Sequence, residues 1–93
     1  MTEKATETVI VDDARVRMAR YHFEPGAETG HHRHGHDYAI VALTDCVMRI
    51  EDADGTREVR VAAGEGYRRD EGVEHNVING GDVPMSFVEI ELK

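Results

Sequence analysis

The sequence predicts an all-β domain of the sandwich or barrel kind. Short stretches rich in β-branched and aromatic residues recur at intervals of about 8–12 residues, with turn signals between them. Those signals are Glu24-Pro25-Gly26, Asp54-Gly55, Gly64-Glu65-Gly66 and Asn79-Gly80-Gly81-Asp82. No segment carries the apolar period of a helix. A chain of 93 residues makes one such domain and not two.

Residues 1–7 are polar and acidic and read as a loose tail, which leaves 8–93 as the domain. Thr8-Val9-Ile10-Val11 opens the first strand. Val16 and Met18 then alternate with Arg15 and Arg17, after which Tyr21 and Phe23 become the apolar set. That phase slip predicts a bulge near Ala19-Arg20. Tyr38 to Leu43 is apolar on both faces. A strand of that kind is covered on both faces, one by the core and the other by a second subunit, so a homodimer is expected. Cys46, Met48 and Ile50 alternate with Val47, Arg49 and Glu51. Asp54-Gly55 marks a hairpin, and Val59 and Val61 continue it. Val73 to Ile78 reads as a strand, and in the last one Val88, Ile90 and Leu92 alternate with Glu89, Glu91 and Lys93.

Composition excludes several classes of partner. Nineteen acidic residues against eleven basic ones give a net charge of -8. That argues against a nucleic-acid backbone or an anionic membrane. Trp is absent, so base-stacking platforms are not expected. There is no apolar run of about 18 residues for a membrane span, and the N-terminus lacks the basic-then-apolar pattern of a signal peptide. Cys46 is the single cysteine, which leaves no internal disulfide and fits a reducing compartment, so the cytoplasm is the expected location. A domain this small buries only roughly 60–65% of its unfolded surface. A metal or a second subunit would supplement it.

Chemistry concentrates in Gly30-His31-His32-Arg33-His34-Gly35-His36-Asp37-Tyr38. His32, His34 and His36 alternate, and alternate side chains of a strand share a face. Imidazole is the commonest protein metal ligand. A further histidine, His75, stands about forty residues on, in Gly64-x5-Asp70-x-Gly72-x2-His75-x3-Asn79. Two imidazoles at i and i+2, with a third from a neighbouring strand, would make a facial ligand set with open positions.

These two stretches resemble the two motifs of the cupin superfamily, Gly-x5-His-x-His-x3/4-Glu-x6-Gly and Gly-x5-Pro-x-Gly-x2-His-x3-Asn. The first matches at Gly26, His32 and His34, and the second at Gly64, Gly72, His75 and Asn79, with Asp70 in place of proline. The resemblance implies a six- to eight-stranded cupin β-barrel of the jelly-roll type, usually dimeric. It also implies one divalent transition metal per chain, Fe, Mn, Ni or Zn, on His32, His34 and His75. The motif's glutamate is missing, because Tyr38 and Ala39 occupy its place. His36, Asp37, Tyr38 or water is left as the fourth ligand. His36 and Tyr38 are also the candidate catalytic groups, since both should face inward. Tyr67 and Arg69, just before the second motif, are candidates to hold a substrate carboxylate. More narrowly, the chain resembles small single-domain bacterial cupins carrying His-x-His-x-x-Asp-Tyr and Gly-Val-Glu-His-Asn, a group without a settled activity.

Two functions compete. One is a metalloenzyme acting on a small oxygenated molecule, either dioxygenase-like or a Lewis-acid isomerase or lyase. The other is a non-catalytic module that binds or senses a small ligand. His31 and His22 read as structural or surface residues, and Asn79 as a turn residue.

Overall fold

The computed structural model describes residues 3–93; Met1 and Thr2, the start of the expected tail, lie outside the described residues. The strands are β1 (Thr6–Asp12), β2 (Val16–Phe23), β3 (His32–Arg33), β4 (Asp37–Ala42), β5 (Cys46–Asp52), β6 (Gly55–Val61), β7 (Gly66–Arg69), β8 (Glu74–Asn79) and β9 (Met85–Leu92). They form a five-stranded sheet in the order β1-β2-β9-β4-β7 and a four-stranded sheet in the order β3-β8-β5-β6. All neighbouring strands run antiparallel. The architecture is the all-β jelly roll expected, with nine strands among the described residues in place of six to eight. Among the described residues no helix is long and apolar enough to cross a membrane.

Both sheets contribute to one core: Phe23, Ile40 and Phe87 come from the larger, and Met48, Ile50 and Val77 from the smaller. Phe23 and Phe87 pack with ring centroids 5.3 Å apart. Asn79 is fully occupied by the backbone. Its amide donates to the carbonyls of Phe23 and Val83 at 3.2 and 2.8 Å, and its side-chain oxygen accepts from the Gly81 N–H at 3.0 Å. It is the turn residue that its position suggests. Gly66 lets β7 press against β4, since a Cβ there would lie 2.1 Å from the Ile40 carbonyl oxygen.

Several expectations need correcting. The tail is shorter than residues 1–7: β1 already starts at Thr6, and the Ala5 N–H donates to the Glu28 carbonyl at 2.9 Å. Polar composition hid this segment because an edge strand wants backbone partners, not apolar side chains. The bulge lies on β1, where the register shifts between Val9 and Val11. Strand β2 runs in unbroken register with β9 from Val16↔Leu92 to Phe23↔Met85. Its alternation never slips. Arg17, Ala19, Tyr21 and Phe23 share the inner face, and Val16 and Met18 lie outside. Strand β7, four residues opening on a glycine, gave no signal in the sequence.

Strand β9 holds the larger surprise. Ordinary in/out patterning puts Val88, Ile90 and Leu92 in the core. Instead Met85, Phe87 and Glu89 are buried, while Val88 and Ile90 are half-buried and Leu92 is exposed. Met18 and Ala39 lie beside Ile90, and Val41 beside Val88, so the outer face of the sheet is apolar. Tyr38, Ile40 and Ala42 are buried as expected, and Val41 and Leu43 stand exposed in the single chain.

Candidate metal centre

The site begins with backbone. Strand β3 is only two residues long and pairs with β8 so that His32 stands opposite His75. The His34 N–H then donates to the Val73 carbonyl, and the Gly72 N–H to the His34 carbonyl, both at 2.8 Å. These bonds keep His34 on the face of His32 after the strand ends.

Three imidazoles converge there. His32 Nε2 lies 3.0 Å from His34 Nε2, which lies 3.1 Å from His75 Nε2. His34 and His75 are buried, and His32 is half-buried. The tautomer of His32 is constrained, while His75 Nδ1 is buried without a hydrogen-bond partner. His32 Nδ1 lies 2.8 Å from the Gly30 carbonyl, an obligate acceptor, so Nδ1 carries the proton and Nε2 presents a lone pair. The Gly30 N–H in turn donates to the Asn76 side-chain oxygen at 3.0 Å. Burial and the neighbouring His32 pull His34 down to about 4, and burial pulls His75 down to about 3, so both are neutral at pH 7.

This donor set fits a divalent metal. Imidazole nitrogens that converge in this way can turn their lone pairs on a cation held between them. Nitrogens held about 2.1 Å from a metal at right angles would stand about 3 Å apart, which matches the two Nε2 separations here. The three histidines are the group of metal-ligating side chains found among the described residues.

The remaining expected site residues separate. His36 does not join the cluster: it is exposed, on the turn between β3 and β4. The turn at Gly35-His36 breaks the strand, and with it the alternation that should have aimed His36 inward. Asp37 caps a loop, accepting from the Glu71 N–H at 2.8 Å. His31 is paired at the surface with Glu74 at 2.9 Å. His22 is an outer-face residue held by Ser86 and Glu24. Cys46 is buried, and burial raises its thiol pKa, so it stays a protonated core residue.

Tyr38 is central. Its ring stacks on His34 at a centroid distance of 3.7 Å and an interplanar angle of 13°. Its hydroxyl is buried without a hydrogen-bond partner, and burial pushes its pKa up to about 12. Tyr38 and the three histidines line a cavity of about 590 Å³ between the sheets. Tyr67 also lines it, with its hydroxyl 3.6 Å from Met48 Sδ. Arg69 lies opposite Tyr38 in register but opens onto an adjoining cavity of about 400 Å³, which it shares with Tyr67.

Reading the sequence missed one wall of the cavity. Strand β9 supplies Glu89 and Glu91, and β1 and β2 supply Glu7 and Arg17. Glu89 is buried, with Oε1 4.0 Å from His34 Nδ1. Burial and the neighbouring Glu91 raise its pKa to about 7. The signal was parity: Glu89 and Glu91 continue the phase of Met85 and Phe87, not that of Val88 and Ile90.

Comparison with known proteins agrees with this geometry. A model described as "Cupin domain" matches residues 19–91. The β-alanine degradation protein BauB of Pseudomonas aeruginosa is 50% identical over 90 residues, which is 97% of this chain and 95% of that protein. The crystal structure of a cupin domain from Bordetella pertussis Tohama I superposes with a TM-score of 0.96 at 43% identity, covering 100% of this chain and 97% of the other. The polyketide cyclase RemF of Streptomyces resistomycificus shares the fold at a TM-score of 0.78 and 20% identity, over 98% of this chain and 66% of its own. This chain belongs to the cupin domain family.

Proposed function

We propose that this cupin is a small-molecule metalloenzyme carrying one divalent transition metal, Fe, Mn, Ni or Zn, on His32, His34 and His75. The observation that carries the proposal is the convergence of three Nε2 atoms on the wall of a cavity large enough for a compact organic ligand. Such a metal supplies either Lewis-acid polarisation of a bound oxygen or, as iron, a place for dioxygen beside the substrate. The first suits isomerase or lyase chemistry and the second dioxygenase-like chemistry.

The chain's own residues set the terms. Tyr38 keeps its proton at neutral pH and has no internal partner, so its hydroxyl donates to a ligand oxygen. Its ring holds the His34 plane. The Gly30 carbonyl keeps Nε2 of His32 free to bind. Tyr67 closes the apolar side, and Arg69 stands where it can attract a carboxylate from the adjoining cavity. The likeness to BauB favours a small acid of the kind met in β-alanine degradation. The working unit is a cytoplasmic homodimer joined through the apolar outer face around Val41, Val88 and Ile90.

The test is elemental analysis of untagged protein, followed by oxygen uptake and product analysis with small carbonyl, thiol, catechol and amino-acid substrates. One equivalent of metal per chain is expected, and His75→Ala should weaken it by more than about 100-fold. Protein that takes up no metal even when supplied with it overturns the reading. Stoichiometric metal with ligand binding and no turnover would instead make this a sensor or binding module.

A further inference from the structure

The cavity has a second polar region that the metal does not need. Glu89 is 8% exposed, and among the described residues no lysine or arginine lies within ion-pair distance of it. Its nearest ion-pair nitrogen is His34 Nδ1 at 4.0 Å. Glu91, two residues on, lines the same wall. Arg17 is committed elsewhere: its guanidinium binds Glu7 at 3.1 Å, and Glu7 also accepts from the Tyr21 hydroxyl. Lys4 and Arg33 border the cavity but are exposed, and the Lys4 ammonium donates to the Thr29 carbonyl at 3.1 Å. Arg17 stands opposite Glu91 in the β2–β9 register and Arg69 opposite Tyr38 in the β4–β7 register, whereas Glu89 stands between Ala19 and Ile40 with no cation beside it.

A buried carboxylate without a cation is costly, and proteins keep one where something completes it. A second observation points to a ligand. Tyr38 is 1% exposed and borders the cavity, and its buried hydroxyl has no hydrogen-bond partner. Tyr38 stands opposite Glu91 in the β4–β9 register, and Glu89 lies two residues on along the same face, so the orphan hydroxyl and the Glu89 carboxyl group occupy one stretch of wall.

We propose that the substrate carries a primary ammonium group seated against Glu89 and Glu91, with its oxygen end directed to the three histidines and the Tyr38 hydroxyl. An ammonium supplies donors to the buried carboxyl group of this wall that has no cation beside it. Glu89 and the three histidines line one cavity of about 590 Å³, so both ends of the ligand fit within a single compact space. The class is thus a short-chain amino acid or amino-carbonyl compound. The placement of the oxygen end rests on the metal reading above; the placement of the amine does not.

The experiment is calorimetric titration of the full chain, metal-loaded and metal-free, with β-alanine and with 3-hydroxypropionate. The two probes have similar size, but only one carries a charge at the tested end. β-Alanine is expected to bind roughly 10- to 100-fold more tightly, the value of one charge-assisted contact. In Glu89→Gln that ratio should fall toward one while the affinity for 3-hydroxypropionate holds. Glu91→Gln, nearer the rim, should lower it less and serves if Glu89→Gln fails to fold. Equal affinities, a preference for the hydroxy acid, no β-alanine binding at millimolar concentration, or a ratio unchanged in both variants overturns the proposal. A preference retained by protein that takes up no metal removes the metal reading alone. Metal uptake without any preference removes this one alone.

Discussion

Along β9 the five-stranded sheet shows two different faces. Met85, Phe87, Glu89 and Glu91 look inward, and Val88, Ile90 and Leu92 look outward. At the Met85–Phe87 end the inner face is an ordinary core, with Phe87 packed on Phe23 and Tyr21. At the Glu89–Glu91 end it is the wall of a charged cavity. The outer face is the reverse of a solvated surface, since aliphatic side chains of β2, β9 and β4 lie side by side across it. The difference is one of chemistry. The inner face gives up apolar burial for polar groups around a cavity, and the outer face leaves apolar side chains at the surface of the single chain, which suits the dimer proposed above.

Removing the aromatic part of the inner face should have the largest effect. Phe87→Ala cuts out a ring 3% exposed, and should lower unfolding free energy by about 3–5 kcal/mol in urea titration. A loss below about 1 kcal/mol would mean that the inner face is not the core. On the opposite side Ile90→Glu should change the stability of the isolated chain by no more than about 1 kcal/mol. Its effect belongs in assembly, as a shift from dimer to monomer in sedimentation. If the variant sediments as the wild type does, the outer face is not the interface.

The mildest test uses pH on metal-free protein. His34 and His75 titrate at about 4 and 3 when folded against 6.5 when unfolded. The unfolded chain therefore binds more protons below pH 6.5, and stability falls as the pH drops from 6.5 toward 4. Glu89 works in the opposite sense. It is raised from 4.5 to about 7, so the folded chain holds the extra proton and stability declines as pH rises through that range. Two histidines outweigh one carboxyl below about pH 7, and above it the carboxyl dominates. The urea midpoint should peak near about pH 7, and Glu89→Gln should abolish the fall on the alkaline side. A wild-type midpoint still climbing from about pH 7 to 8 would contradict the burial of Glu89.

The same comparison explains what could be read from the sequence. The fold was legible because turn signals and strand composition are local. His32, His34 and His75 were legible because their residue type is itself the chemistry and their spacing places them together. Strand β9 was not legible as to side. Alternation fixes which residues share a face, but the assignment of that face to the interior assumes that the interior is apolar. Here it is not, and Arg17 was hidden for the same reason as Glu89. His36 failed differently, because its alternation with His34 held in the sequence but a two-residue turn intervened in space. Tyr38 kept its inward place because β4 resumes with the register that β9 imposes.

Gly30 touches neither the cavity's carboxylates nor any ring nitrogen except His32 Nδ1. Its φ of +84° is one that side-chain-bearing residues rarely adopt, and a Cβ there would meet the Lys4 ammonium at 2.5 Å. Yet its carbonyl decides which nitrogen of His32 is free. A survey that ranks positions by distance to a ligand would score Gly30 as inert. Selection acting on metal retention would treat it as nearly immutable, and inherited variation there would surface as cofactor deficiency in a protein that still folds.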